Sequence, residues 1–334
     1  QQAAEALVKP MVNTDELLAD GLLFLLIGGM AGSCDAALLR SKFTTVNGFK
    51  GIIAGVCCQF VLLPAAGFLS LLLFPQSPAT AIALLIVTSS PGGGFSGFWC
   101  FLANADLALS VAMTTASTLV SVIALPLNLM LYVTLLYGRS VEVPMQELLR
   151  ACGVVIAAVI TGYTISRAFP SSRKVVSVIG QTAGVAQMTL GAAANGVSSD
   201  PVWENPPSWF ACIMLPVLGG LCAALLVARL IRLPNPEAVA VAIECCYQNT
   251  GLALTIALSA MSAADIGEGS GVPLTYGVVE ILIIPVFALT AWRLGWTYAP
   301  TSENVCVALV GNYQPSADAR EEDGKAPRAS NSML

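Results

Sequence analysis

The chain has 334 residues, 56% hydrophobic and only 10% charged, with a net charge of −5. An average soluble chain carries about 25% charged residues, so a surface this poor in charge cannot be kept in water; soluble enzymes, nucleic-acid binders and secreted domains are excluded. Histidine is absent, which removes His-ligated metals, a His base and a His proton relay.

Apolar runs between polar punctuation predict an all-α polytopic membrane protein of nine helices. In chain order they cover 18–35, 49–73, 78–102, 107–137, 145–168, 173–194, 208–231, 236–262 and 272–296. Residues 1–17 form an N-terminal segment, and Asp15, Glu16 and Asp20 at its edge are unlike the basic start of a signal peptide. Nine crossings place the termini on opposite sides. Of the 15 Lys and Arg, twelve fall on the side of the C-terminus and only Lys9, Arg139 and Arg150 on the other. The positive-inside rule then makes residues 1–17 extracytoplasmic and the C-terminus cytoplasmic. Residues 299–334 are rich in Ser, Pro and Asn and read as a disordered cytoplasmic tail. The tail ends in Ser332-Met333-Leu334, the form of a C-terminal PDZ ligand. Eight of the ten cysteines sit inside apolar runs, without metal-site spacing, and act there as small hydrophobes.

Two of the nine helices are interrupted. The third is apolar to Val87, then reads Thr88-Ser89-Ser90-Pro91-Gly92-Gly93-Gly94-Phe95-Ser96-Gly97. Pro followed by three Gly cannot continue a helix. The eighth carries Glu244-Cys245-Cys246-Tyr247-Gln248-Asn249-Thr250-Gly251 between apolar flanks. Irregular backbone at membrane depth is tolerated where it is buried in protein or lines a cavity. The interrupted helices lie five apart, an odd spacing that gives them opposite directions. They therefore predict an inverted repeat with a transport site at its midplane.

Glu244 and Glu280 are the acids placed well inside apolar runs. A carboxylate at the bilayer centre costs roughly 2.5–3.5 kcal/mol on insertion scales. No Lys or Arg is mid-helix, so the compensating charge must be an imported small cation or a proton. Two carboxylates in one low-dielectric core disfavour double ionisation, and Glu280 is accordingly expected to hold an additional cation or a proton. Hard oxygen groups nearby suit a hard cation: Ser110, Thr114, Ser117 and Ser121 make one polar stripe along the fourth helix, and Ser96 and Gln59 add two more. The N–H groups of half-helices resuming near Ser96 and Asn249 suit an anionic solute. Enzyme chemistry finds no support. Gly94-Phe95-Ser96-Gly97 matches an intramembrane serine-protease motif, but that Ser needs a His. No nucleotide-binding loop is present.

Ser89-Ser90-Pro91-Gly92-Gly93, the run Ala108–Thr118, Gln59 with Pro64, and Glu244-Cys245-Cys246-Tyr247-Gln248-Asn249 together resemble the bile acid:sodium symporter family. The resemblance spans about residues 20–296 and implies Na⁺-coupled uptake of bile acids or other organic anions across the plasma membrane, without a further cofactor. It implies a transporter domain over 18–298, with a core (49–137 and 208–296) holding two crossing broken helices and a panel (18–35 and 145–194). One sodium site would use Ser96, Ser110, Thr114 and Glu244. The other would use Gln59, Glu244 and Gln248, with the carbonyls of Cys245 and Tyr247. Asn249, with Gly94, Phe95, Gly97 and Thr250, would face the solute. The chain departs from the family at Gly97, where an Asn is common, and at Glu280, where His or Gln is. Proton or altered sodium coupling, or a neutral solute, is the alternative reading.

Overall fold

The computed structural model describes residues 2–33, 40, 42–138, 145–196, 201–260, 266–311 and 313; the rest of the tail, with Ser332-Met333-Leu334, lies outside them. The described residues are almost entirely helical. Helices α1 (Gln2–Ser33), α2 (Val46–Leu73), α3 (Pro78–Thr88), α4 (Ser96–Leu102) and α5 (Leu107–Tyr137) come first. They are followed by α6 (Met145–Ala168), α7 (Arg173–Gly196), α8 (Pro207–Leu230), α9 (Asn235–Cys246), α10 (Thr250–Ala260), α11 (Ile266–Arg293) and α12 (Val305–Val310). Six of them are long and apolar enough to cross a membrane, and Leu17–Ser33, Pro78–Thr88 and Thr250–Ser259 are shorter apolar helices. This is the pattern of an integral multi-pass membrane protein. The expected breaks fall where the sequence placed them, between α3 and α4 and between α9 and α10.

Local chemistry sets the element ends. Ser77 caps α3 by accepting the N–H of Thr80 at 3.2 Å, with Pro78 in the first turn. Asp106 caps α5 through the N–H of Leu109 at 2.8 Å. In α2, Pro64 lacks an N–H and displaces the carbonyl of Phe60 four residues earlier. The backbone answers with a π turn over Cys58–Leu62, and Asn128 of α5 donates to the freed Phe60 carbonyl at 2.9 Å. The turn brings Gln59 into the core, 1% exposed.

Helix α1 packs against both α6 and α7, and Arg150 of α6 pairs with Asp20 of α1 at 3.1 Å. The broken elements sit against α2, α5, α8 and α11. Residues 81–90 and 238–246 are buried on every side, as helices at the centre of a body must be.

One expectation fails beyond α11. Residues 299–311 are not without structure. The chain turns at Gly295 (φ +69°), Trp292 Nε1 donates to the Pro300 carbonyl at 3.0 Å, and Asn104 Nδ2 donates to the Ala308 carbonyl of α12 at 2.7 Å. Ala299, Ala308 and Tyr313 are buried against Trp292. The polar composition of the whole tail hid the short apolar stretch Val305–Val310, which supplies a packing face.

Candidate functional site

The site is built where the two breaks cross. Gly92 and Gln248 form an antiparallel bridge. The N–H of Gly93 donates to the Tyr247 carbonyl and that of Asn249 to the Pro91 carbonyl, each at 2.9 Å. Each break thus satisfies backbone groups that the other leaves open, which a buried, water-poor crossing requires. Glycine is needed here for close approach. A Cβ on Gly92 would run into the Glu244 carboxylate, and one on Gly93 would lie 2.7 Å from the Tyr247 ring and 2.5 Å from the Gln248 carbonyl oxygen.

Glu244, in the last turn of α9, is fully buried. Its Oε2 accepts the Ser110 hydroxyl at 2.8 Å, and its Oε1 accepts the Thr114 hydroxyl. Ser96 Oγ, at the start of α4, lies 3.2 Å from Thr114 Oγ1. The structure therefore brings together Ser96, Ser110, Thr114 and Glu244. Ser117 lies one turn on and accepts the N–H of Gly92 at 3.3 Å. Ser121 instead turns back to the Thr118 carbonyl at 2.8 Å, so the polar stripe splits in function along its length.

Gln59 and Gln248 also meet Glu244 at Gly92. Gln59 Nε2 is buried without a partner, 3.4 Å from where a Gly92 Cβ would stand. Gln248 Nε2 donates to the Cys245 carbonyl at 2.8 Å, and its Oε1 accepts Ser90 Oγ at 3.4 Å. Cys245 and Tyr247 each engage one carbonyl lone pair in this way, leaving a second. The ion pairs among the described residues, Lys42–Asp106 and Arg150–Asp20, do not include Glu244. A buried acid ringed by hydroxyl, amide and carbonyl oxygens, with no basic partner, is a donor set for a hard cation. The orphaned Gln59 amide fits this set, because a turned amide presents its oxygen instead.

Two cavities flank the crossing. One of about 620 Å³ is lined by Phe95, Trp99, Met188, Asn249, Thr250 and Gly277, among others. A smaller one of about 190 Å³ is lined by Ser96, Gly97, Thr114, Ser33 and Gln181. Gly94 and Phe98 line both. Of the expected solute-facing residues, Gly94, Phe95, Asn249 and Thr250 share the larger cavity, whereas Gly97 opens onto the smaller one, beside the hydroxyl cluster. Glu280 is fully buried, and its Oε1 accepts the N–H of Gln248 at 2.6 Å.

Several contributors escape a reading of the sequence. Gln187 of α7 donates to the Gly251 carbonyl at 3.0 Å and to the Thr255 hydroxyl, tying α7 to α10. Its one signal is being a lone amide in a run of small and apolar residues. Met188 and Gly277 carry no chemical signal at all.

The model of the Sodium Bile acid symporter family matches residues 22–199. The human ileal sodium/bile acid cotransporter is 29% identical over 71% of this chain and 68% of its own length. The Cricetulus griseus ileal sodium/bile acid cotransporter is 30% identical over 69% of this chain and 67% of its own. The Bos taurus sodium-dependent organic anion transporter is 28% identical over 70% of this chain and 62% of its own. With more than half of its residues matched to the family model, this chain belongs to the sodium bile acid symporter family.

Proposed function

We propose that the chain is a sodium-coupled symporter that carries an amphipathic organic solute by alternating access. The observation that carries this reading is Glu244, buried between Ser110 and Thr114 at the crossing of two broken helices with no basic partner. Na⁺ would supply the missing positive charge. One ion would be held by Ser96, Ser110, Thr114 and Glu244. A second would be held by Gln59, Glu244, Gln248 and the carbonyls of Cys245 and Tyr247. The solute would occupy the larger cavity, beside Gly94, Phe95, Asn249 and Thr250. Organic anions, bile acids included, are the solutes named for the relatives and the first class to test.

The transporter domain would span 18–298 as nine crossings in an inverted repeat, with the C-terminus cytoplasmic in the plasma membrane. The reciprocal hydrogen bonds between the breaks support that repeat. The packing of α1 against both α6 and α7 supports a panel (18–35 and 145–194) moving against a core (49–137 and 208–296). A second reading, coupling to fewer sodium ions, is favoured by Gly97, which offers no side chain to the hydroxyl cluster. Uptake into proteoliposomes under an inward Na⁺ gradient, compared with an equal K⁺ gradient, tests the proposal. Accumulation with Na⁺ alone supports it, and equal accumulation with either ion contradicts it.

A further inference from the structure

The two cavities beside the crossing differ in chemistry. The larger one carries four aromatic rings, Phe95, Phe98, Trp99 and Tyr247, in its walls. The smaller one is lined largely by oxygen-bearing side chains, among them Ser33, Ser96, Thr114, Thr118, Ser177 and Gln181, and none of its lining residues is charged. Its depth is graded. Ser96 and Thr118 are buried, whereas Ser33 and Gln181 are exposed and mark its mouth. Ser33 closes α1 and Ser177 lies near the start of α7, on the side proposed above as cytoplasmic. Gly94 and Phe98 line both cavities and stand between them.

The donors of this lining are used within its own helices. Ser33 donates to the Met30 carbonyl at 2.8 Å and Thr118 to the Thr114 carbonyl at 2.7 Å. Gln181 Nε2 donates to Ser177 Oγ at 3.3 Å. A hydroxyl bonded in this way keeps its lone pairs for whatever fills the cavity. The wall thus presents acceptors, which attract a cation and repel an anion. At its inner end it reaches Ser96 and Thr114, two of the groups gathered around Glu244.

We propose that the smaller cavity is a cation passage, in which Thr118, Ser177, Gln181 and Ser33 carry Na⁺ between the Ser96–Thr114 cluster and the exposed mouth, apart from the cavity that takes the solute. The inference rests on the reading of that cluster as a sodium site and adds the ion's route to it. The volume of about 190 Å³ has room for several waters. Polar walls keep such a passage wet, and apolar groups of the same shape raise a dewetting barrier. A group met only in passage changes the barrier to entry and exit alike. Its loss therefore slows binding and release by one factor and leaves equilibrium affinity where it was, whereas loss of a ligand changes the affinity.

The test uses the full chain in detergent with radiolabelled Na⁺. Affinity is read from equilibrium binding, and release is followed after a chase of unlabelled Na⁺. Thr118→Val combined with Gln181→Leu should slow release roughly tenfold or more while the dissociation constant stays within about twofold of wild type. Gln181→Leu alone, at an exposed position, should slow release about threefold and decides the matter if the double variant fails to fold. Ala192→Trp, which narrows the larger cavity, should leave release unchanged. Wild-type release in the folded passage variants overturns the inference, and so does a dissociation constant that changes in step with the release rate. Release slowed as much by Ala192→Trp also overturns it, because the ion would then leave through the larger cavity. A wild type that binds no Na⁺ contradicts the sodium site itself, a failure visible before any variant is compared.

Discussion

The two breaks solve one steric problem by opposite means. The first runs for seven residues between Thr88 and Ser96, holds three glycines and no charged side chain, and contributes mainly backbone. The second is three residues long, and carboxyls flank it on both sides: Glu244 from the helix that leads into it and Glu280 from α11. The difference teaches how a membrane protein concentrates chemistry at one point. One chain segment gives up its side chains so that the other can place a carboxylate against its backbone, with α5 closing the far side with hydroxyls.

That division is most sharply broken by giving the first break a side chain. Gly93→Ala should lower uptake about a hundredfold or more and destabilise the chain by roughly 1–3 kcal/mol, since its Cβ meets fixed backbone and a ring. Transport assays beside thermal melting of the purified variant check both. Removing a hydroxyl that faces the acid should act on sodium alone. Thr114→Ala is expected to weaken apparent Na⁺ affinity roughly tenfold to a hundredfold, the value of one lost hydrogen bond to a charged group. Ser121→Ala, whose hydroxyl serves only its own helix, should leave the sodium curve where it was. Equal effects at the two positions would erase the distinction between them.

Gly97 sharpens the comparison from the other direction. A Cβ there meets only Leu107 Cδ1, at 3.6 Å, and its φ is not positive. Gly97→Asn is therefore tolerated and should add a ligand beside Ser96, lowering the Na⁺ concentration for half-maximal uptake roughly twofold to fivefold. The smallest effects belong to the C-terminus. Deleting 299–334 should cost roughly 2 kcal/mol by exposing the Trp292 cluster, while deleting 314–334 should change neither melting temperature nor uptake.

Much of this was legible locally. Pro91-Gly92-Gly93-Gly94 announces a break because Pro and Gly act on their own backbone, and Glu244 announces itself because an acid in an apolar run needs a partner. The stripe on α5 was visible as a face, but not where along it the acid would sit; that depends on how far α9 slides past α5. Gly92 reads as a loosened helix in the sequence and as a seat for Glu244 in the structure, a contact across 152 positions (244 − 92) that local rules cannot see. Glu280 was expected to need a cation or a proton, and its bond to the Gln248 N–H was not foreseen, because backbone donors freed by a break carry no sequence signal.

The central claim is that Glu244 supplies the charge that binds sodium. It is tested most directly by the Na⁺ dependence of melting temperature in purified wild type and Glu244→Gln, with K⁺ matching ionic strength. The account predicts a wild-type melting temperature that rises with Na⁺ and saturates, and a folded Glu244→Gln protein in which that rise is absent. A Glu244→Gln protein that keeps the full Na⁺-dependent rise would contradict it.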